Sequence, residues 1–206
     1  MNNIYKSIII FPFLLLGCKP NVTEVSRIMQ KIDSLDMNIY SNQGEKIYRI
    51  ISPNSSYDII RQTLNLKNTT INLYSNKELK YIINSDESKL SNNNKILELK
   101  GNVILKSLLE DNDILHSDYF IWNIEESKYL LKGNIKFENE NIILNSNKAT
   151  LSSDNIIEFY NPVKYIIKKD NKSNYEINSE NAFYNIKTKS VIFKSTNNRV
   201  RSKIYF

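Results

Sequence analysis

Cysteine and histidine, two residue types that often do chemistry, each occur once in this sequence of 206 residues, as Cys18 and His116. A zinc site needs three or four protein ligands, usually His, Cys or carboxylates, and the sequence has no second histidine and no second thiol. Ser117 is next to His116, but neighbouring side chains on a strand point to opposite faces, so the two do not form a nucleophile and its base. No glycine-rich phosphate loop is present. The sequence therefore predicts no catalytic residue, no metal site and no cofactor.

Cys18 follows a short apolar segment near the start of the chain. Residues 8–16 are apolar and follow Lys6. A membrane-spanning helix needs about 20 apolar residues, whereas the core of a signal peptide has roughly 7–15. The segment Leu15-Leu16-Gly17-Cys18 resembles a bacterial lipobox, in which cleavage falls before a cysteine that then carries lipid. We therefore expect a lipoprotein-type signal peptide at 1–17 and lipidation of Cys18. An ordinary signal or an uncleaved anchor with a free cysteine is the alternative.

Either form of processing takes the chain out of the cytoplasm and keeps it near a membrane. The formal net charge is +6, but the lysines and arginines are scattered among aspartates and glutamates. Nucleic-acid-binding proteins instead concentrate positive charge in a patch or arm. The sequence therefore gives no reason to expect a nucleic-acid partner.

The periodicity of the apolar residues changes along the chain. Five apolar residues between 19 and 40 recur at helical spacing, which is typical of an amphipathic helix or a spacer: Val25, Ile28, Met29, Ile32 and Leu35. From about residue 41 apolar and polar residues alternate in short runs separated by Asn- and Ser-rich turns, which predicts strands and hairpins. We expect a membrane anchor and a helical or extended linker at 18–40, and one β-domain at 41–206.

The predicted strands repeat with a period close to 30 residues. LELKGNVIL (97–105) and YLLKGNIKF (129–137) align without a gap, 32 residues apart. A second series of strands alternates with the first and contains a serine at each repeat: Ser52, Ser85, Ser117, Ser146 and Ser179. Such a period is typical of an architecture whose units cannot bury their apolar faces alone. The sequence predicts an all-β protein built from strand-pair repeats of about 30 residues.

Alternation also predicts which residues face the interior, because successive side chains on a strand point to opposite faces. Lys100, Lys106, Lys132 and Asn134 are expected on the outer face. Gly101 and Gly133 mark positions for a bulge or for close packing. The predicted inner face includes Leu97, Leu99, Val103, Leu105, Leu131, Ile135, Phe137, Phe159 and Val163.

The order and spacing of three segments resemble the LptC family, the lipopolysaccharide export component of Gram-negative envelopes, and the related OstA-type periplasmic domains. The segments are YRIIS (48–52), LELKGNV (97–103) and ILHSD (114–118). The resemblance covers roughly residues 40–160 well and 161–206 less clearly. It implies an antiparallel β-jellyroll that opens like a folded taco. Family members usually keep an uncleaved transmembrane helix, and the lipobox-like start departs from that pattern.

The resemblance further implies a non-enzymatic role. The inner-face residues would form a groove for the acyl chains of lipopolysaccharide or a similar glycolipid. The implied partners are an inner-membrane permease and ATPase complex and a soluble periplasmic jellyroll protein. Edge strands near 175–183 and 190–194 would dock the next jellyroll, with Val191 and Phe193 extending the apolar stripe across the junction. The basic segment 199–203 would alternatively steer an acidic partner or headgroup.

Two further functions are compatible with the same pattern. One is a structural or adhesive β-repeat lipoprotein with a closed core. The other is an OstA-like domain that only scaffolds an outer-membrane assembly. The distance between the two walls of the folded sheet distinguishes lipid transport from these two functions. Acyl chains fit only if the walls stand apart.

Overall fold

The computed structural model describes residues 28–91, 93–108, 112–151, 155–160, 162–168 and 174–205. These residues form one antiparallel sheet of fourteen strands. The strands are β1 (Met29–Tyr40), β2 (Lys46–Asp58), β3 (Thr63–Ser75), β4 (Glu78–Ser91), β5 (Ile96–Ser107), β6 (Ile114–Asn123), β7 (Lys128–Glu138), β8 (Ile142–Leu151), β9 (Ile156–Tyr160), β10 (Val163–Ile167), β11 (Asn174–Ser179), β12 (Asn181–Asn185), β13 (Val191–Lys194) and β14 (Arg201–Tyr205).

The sheet is a meander from β1 to β8 and then divides into two branches. One branch continues from β8 through β10 and β11 to β14, and the other continues through β9 and β12 to β13. This architecture confirms the predicted all-β jellyroll built from strand-pair repeats. The predicted signal peptide at 1–17 and Cys18 lie outside the described residues.

The predicted domain boundary at residue 41 is wrong, because the β-domain already includes Met29–Tyr40. This segment is strand β1, paired antiparallel with β2 from Met29↔Asp58 to Tyr40↔Lys46. The helical interpretation is therefore wrong for this segment. Ile32 and Leu35 both pack against the core although they are three residues apart. Between them Ser34 has a φ of 56°, and this kink shifts the inward face by one residue and imitates helical spacing.

The 32-residue sequence repeat corresponds to a repeated β-bulge. Gly101 and Gly133 have the same φ of 74°, and the asparagines that follow them, Asn102 and Asn134, both have a φ of 43°. The strand register shifts at both sites. Asn102 Nδ2 donates a hydrogen bond of 2.7 Å to Asp86, and Asn134 Nδ2 donates one of 2.8 Å to Asp118. The predicted bulge at the two glycines is thus confirmed.

The repeated serines lie on the same line across the sheet, which we call the crease. Ser52, Ser85, Ser117 and Ser146 are all buried there. The Ser52 hydroxyl donates to the carbonyl of Lys67 at 2.8 Å and accepts from the Lys67 amide at 3.2 Å. The Ser146 hydroxyl donates to the carbonyl of Lys148 at 2.7 Å. At Ser52 and Ser146 the hydroxyl satisfies backbone groups where the ladder is interrupted, whereas the Ser85 hydroxyl bonds to the Ser88 hydroxyl at 2.7 Å.

Gly133→Ala tests the bulge. A β-carbon at Gly133 would lie 2.5 Å from Oδ2 and 3.0 Å from the β-carbon of Asp118, at a positive φ that L residues rarely adopt. We expect a loss of about 1–3 kcal/mol of unfolding free energy, measured by urea denaturation.

Gly44→Ala is the matched control, because Gly44 also has a positive φ of 79° but nothing within 4 Å of an added β-carbon. It should cost only the backbone strain, about 1 kcal/mol. Equal losses in the two variants would mean that the contact with Asp118 contributes nothing.

Candidate functional site: an apolar interior between two half-sheets

The crease divides the long strands into two half-sheets that pack face to face. Half-sheet A contains the strand segments with Leu97, Trp122 and Tyr129, and half-sheet B contains those with Val103 and Phe137. Every residue of the predicted inner face points into the space between them. Eight of the nine are at most 3% exposed and Leu105 is partly buried. The two faces predicted by alternation are therefore correct, since Lys100, Lys106, Lys132 and Asn134 are exposed.

The two half-sheets touch at defined points. Tyr48 of half-sheet B meets Trp122 of half-sheet A edge to face, with ring centroids 5.2 Å apart. Phe137 of half-sheet B meets Tyr184 of half-sheet A, with ring centroids 4.7 Å apart. Aromatic pairs at these separations are favourable beyond the area they bury. In this conformation both contacts close the interior.

The walls also bound an apolar, partly open cavity of about 270 Å³. Leu105, Leu131 and Phe137 of the predicted groove line it. The other six are fully packed and do not line it. Polar residues at the ends of the strands, among them Ser107 and Asp113, also line it. The lining residues that the groove prediction did not include are Leu73, Tyr81, Leu115, Phe120, Tyr129, Leu151, Ile157 and Ile186.

Most of these additional lining residues carry the same signal as the predicted ones. Leu73, Tyr81 and Leu115 alternate with outward-facing residues on their own strands. Extending the alternation from the Lys-Gly-Asn strands to β3, β4 and β6 would have found them.

Three tyrosines of the interior, of which Tyr129 lines the cavity, have raised pKa values. Burial raises the pKa of Tyr48 to about 12, and it also raises the pKa of Tyr129 and of Tyr165. A phenol with an ordinary pKa of about 10 is already neutral at physiological pH, and the raised pKa values only extend that range upward. The three rings contribute apolar surface to the interior without charge.

The residues considered for catalysis are separated by the sheet. Ser117 is buried at the crease, whereas His116 faces outward with its Nε2 3.8 Å from Glu138. The pKa of the Glu138 carboxyl is lowered, mainly because Lys136 donates a hydrogen bond to it. Within the described ranges, no group of three or more His, Cys, Asp or Glu side chains could hold a metal ion. The same part of the chain contains no helix long and apolar enough to cross a bilayer.

The C-terminal strands differ in part from the prediction. Val191 and Phe193 lie on β13 and pack against the core, and Phe193 meets Tyr165 at a centroid distance of 5.1 Å. Within this chain they continue the apolar interior, and their predicted role at a junction with another jellyroll stays a prediction. The segment 175–183 is not an edge, because β11 is covered by β14 and β12 is covered by β13. The segment 199–203 is not simply a basic tail, since β14 begins at Arg201.

A loop held by Glu180 explains this arrangement. The Glu180 carboxylate accepts hydrogen bonds from the backbone amides of Thr196, Asn197 and Asn198, at distances from 2.7 to 3.3 Å. These bonds fix the chain between β13 and β14. The loop therefore carries the last segment from one branch of the sheet to the other.

Comparison with known proteins gives one family. Residues 17–148 match the family model described as lipopolysaccharide-assembly, LptC-related. A similar solved structure is LptH, the LptA homologous periplasmic component of the conserved lipopolysaccharide transport device from Pseudomonas aeruginosa. The two sequences are 9% identical and the TM-score is 0.41. The match covers 77% of this chain and 94% of LptH. No curated protein sequence matches the chain significantly. The chain belongs to the LptC-related family of lipopolysaccharide-assembly proteins and has a role in periplasmic lipopolysaccharide transport.

Proposed function

We propose that the chain holds acyl chains of lipopolysaccharide, or of a similar glycolipid, between its two half-sheets and passes them to a neighbouring jellyroll. The observation that carries this proposal is the apolar cavity between half-sheets A and B, bounded by Leu105, Leu131 and Phe137. Each exposed methylene costs about 0.8 kcal/mol in water. An acyl chain therefore gains strongly by entering such a space. No chemical step on the lipid is part of the proposal.

The size of the cavity implies that the walls separate when lipid binds. A cavity of about 150 Å³ accommodates benzene, so 270 Å³ holds only a segment of one acyl chain. A glycolipid with several chains needs more room. The contacts Tyr48–Trp122 and Phe137–Tyr184 close the interior, and we propose that they part during loading.

A closed-core structural or adhesive lipoprotein is the second candidate. The observation that favours it is the complete burial of most of the predicted groove residues, including Leu97, Leu99 and Val103. The two functions differ in whether lipid reaches the interior.

Trp122 provides a native reporter for that difference, because it is the only tryptophan in the chain. It stacks on the cavity residue Tyr129 with ring centroids 5.7 Å apart. We expect a lipid A analogue with brominated acyl chains to quench Trp122 fluorescence in the purified full chain. In the control, Trp122→Phe combined with Ile192→Trp moves the reporter to an exposed outer position, which should stay unquenched. Bound lipid that leaves Trp122 unquenched would support the closed core.

We further propose that the chain binds its soluble jellyroll partner by strand addition at the C-terminal edge, which is formed by β13 and β14. The inner-membrane permease and ATPase complex would bind at a different surface. Among the described strands, β13 and β14 each have one strand neighbour, and so does β1 at the opposite end of the sheet. Unpaired strand edges offer backbone hydrogen bonds to another chain. The alternative docking edge is β1, which pairs only with β2.

Proline substitutions in β14 test this docking. Successive backbone N–H groups of a strand point to opposite sides, so one of Ser202→Pro and Lys203→Pro removes an N–H that faces the open edge. The variant of this pair that keeps native stability should bind the soluble partner at least about tenfold more weakly, a loss of about 1.4 kcal/mol, in a quantitative pull-down. Asp36→Pro and Met37→Pro in β1 are the controls. Loss of binding in the β1 pair alone would place the docking edge there.

We propose that lipidated Cys18 attaches the chain to the inner membrane. Cys18→Ser should leave an unprocessed precursor and abolish incorporation of labelled fatty acid. The precursor is followed by its electrophoretic mobility. Normal processing in this variant would instead favour an ordinary signal or an uncleaved anchor.

A further inference from the structure

Four large apolar side chains are exposed together at one end of the domain. Ile28, Met29, Ile59 and Ile60 are 56%, 45%, 47% and 51% exposed. We call these four residues the tip patch. The Ile59 amide donates a hydrogen bond of 3.2 Å to the Ile28 carbonyl, so the turn between β2 and β3 lies against the start of β1. Clustered exposed apolar residues mark interaction sites more often than scattered ones do.

The turn that presents the tip patch is well ordered by its own hydrogen bonds. Asp58 is only 3% exposed, and its Oδ1 accepts from the amides of Ile60 at 3.1 Å and Arg61 at 2.9 Å. Tight turns usually carry Gly, Asn, Asp, Pro or Ser. Here a buried carboxylate instead supports two adjacent isoleucines that point into solvent. Folding alone does not account for this choice of side chains.

The chain that precedes the tip patch indicates what covers it. Eleven residues, 17–27, lie between the apolar segment 8–16 and Ile28. Eleven residues span at most about 40 Å when the chain is extended. If that segment or lipidated Cys18 lies in the bilayer, the tip patch stays close to the membrane surface. Arg61 lies beside the patch with its Nε 4.0 Å from the buried Asp58 carboxylate and its side chain 61% exposed, so its cationic group remains accessible to anionic headgroups.

We propose that the tip patch inserts into the interfacial region of the bilayer and orients the β1 end of the sheet toward the membrane. This inference rests on the proposed membrane attachment, but not on lipid binding in the cavity. Insertion buries the apolar side chains of Ile59 and Ile60 next to the anchor. It leaves the C-terminal edge at the far end of the sheet, free to meet a partner in the periplasm.

Fluorescence quenching in vesicles tests the proposal with the full chain. Ile60→Trp places a reporter in the tip patch, and Ile192→Trp places one at an equally apolar position, 59% exposed, at the other end of the sheet. The proteins are reconstituted in vesicles that contain anionic phospholipid and brominated acyl chains, and the Trp122 signal of the wild type is subtracted. We expect at least twofold stronger quenching at position 60 than at position 192.

Flotation of the same vesicles reports attachment separately. If the protein floats but position 60 is not quenched, the N-terminal segment or another protein covers the tip patch, and the proposal is wrong. Equal quenching at both positions would mean that the domain adsorbs without orientation, which also contradicts it. A protein that does not float overturns the proposed attachment and this inference with it. Quenching of Trp122 in the wild-type protein tests lipid entry into the cavity and does not test insertion of the tip patch.

Discussion

Leu131→Asp is expected to lower the free energy of unfolding by about 3–5 kcal/mol, because it leaves an uncompensated charge in an apolar interior. Leu131 is 2% exposed and lines the cavity. The measurement is urea denaturation followed by circular dichroism. If the variant remains folded, it should also lose binding of the lipid A analogue.

Lys132→Asp is the matched control on the next residue of the same strand. Lys132 is exposed, and its cross-strand neighbour is Lys148. Like charges at such positions are mildly unfavourable, so aspartate here should change the stability by no more than about 0.5–1 kcal/mol. Similar losses in both variants would mean that the assigned faces of β7 are wrong.

Phe137→Ala is expected to cost about 3–5 kcal/mol of unfolding free energy, because truncation of a buried aromatic residue removes packing and leaves a cavity. Phe137 is 3% exposed and touches Tyr184, with Phe159 at a centroid distance of 6.3 Å. The same truncation removes one of the two contacts that close the interior. We therefore expect faster uptake of the lipid A analogue in the fraction that remains folded.

Phe183→Ala makes the same chemical change on the outer face of β12. Phe183 is only partly buried, and its ring packs beneath the Lys194 ammonium at 4.7 Å. Loss of this cation–π contact should cost about 1 kcal/mol. A cost at Phe183 as large as that at Phe137 would contradict the assignment of Phe137 to the interior.

Alternation was sufficient to predict the faces of the strands, because side-chain direction follows from local backbone geometry. It misleads only on β1, where the inward face advances by three residues at the crease, because the advance of four residues on β7 keeps the alternation. Leu131 and Ile135 are four apart around Gly133, and Ile32 and Leu35 are three apart. On β7 the glycine identified the bulge. On β1 no glycine did, and the spacing was interpreted as helical.

The cavity was only partly predictable, for a different reason. The sequence indicates which residues face inward but not how far apart the two walls lie, since that distance depends on which side chains meet across the interior. The contact between Tyr48 and Trp122 joins residues more than 70 positions apart, and nothing local to either residue indicates it. The predicted β-domain extends to residue 206, but the exact position of β14 is hard to predict because its five residues include Arg201 and Lys203, which resemble a basic tail.

Photocrosslinking in living cells tests most directly whether glycolipid occupies the interior. A photoreactive phenylalanine analogue replaces Leu105, which lines the cavity, or Lys106, its exposed neighbour on the opposite face. The proposed function predicts glycolipid adducts from position 105 and none from position 106. An absence of adducts at position 105 in a folded, membrane-attached protein, or equal adducts at both positions, would contradict it.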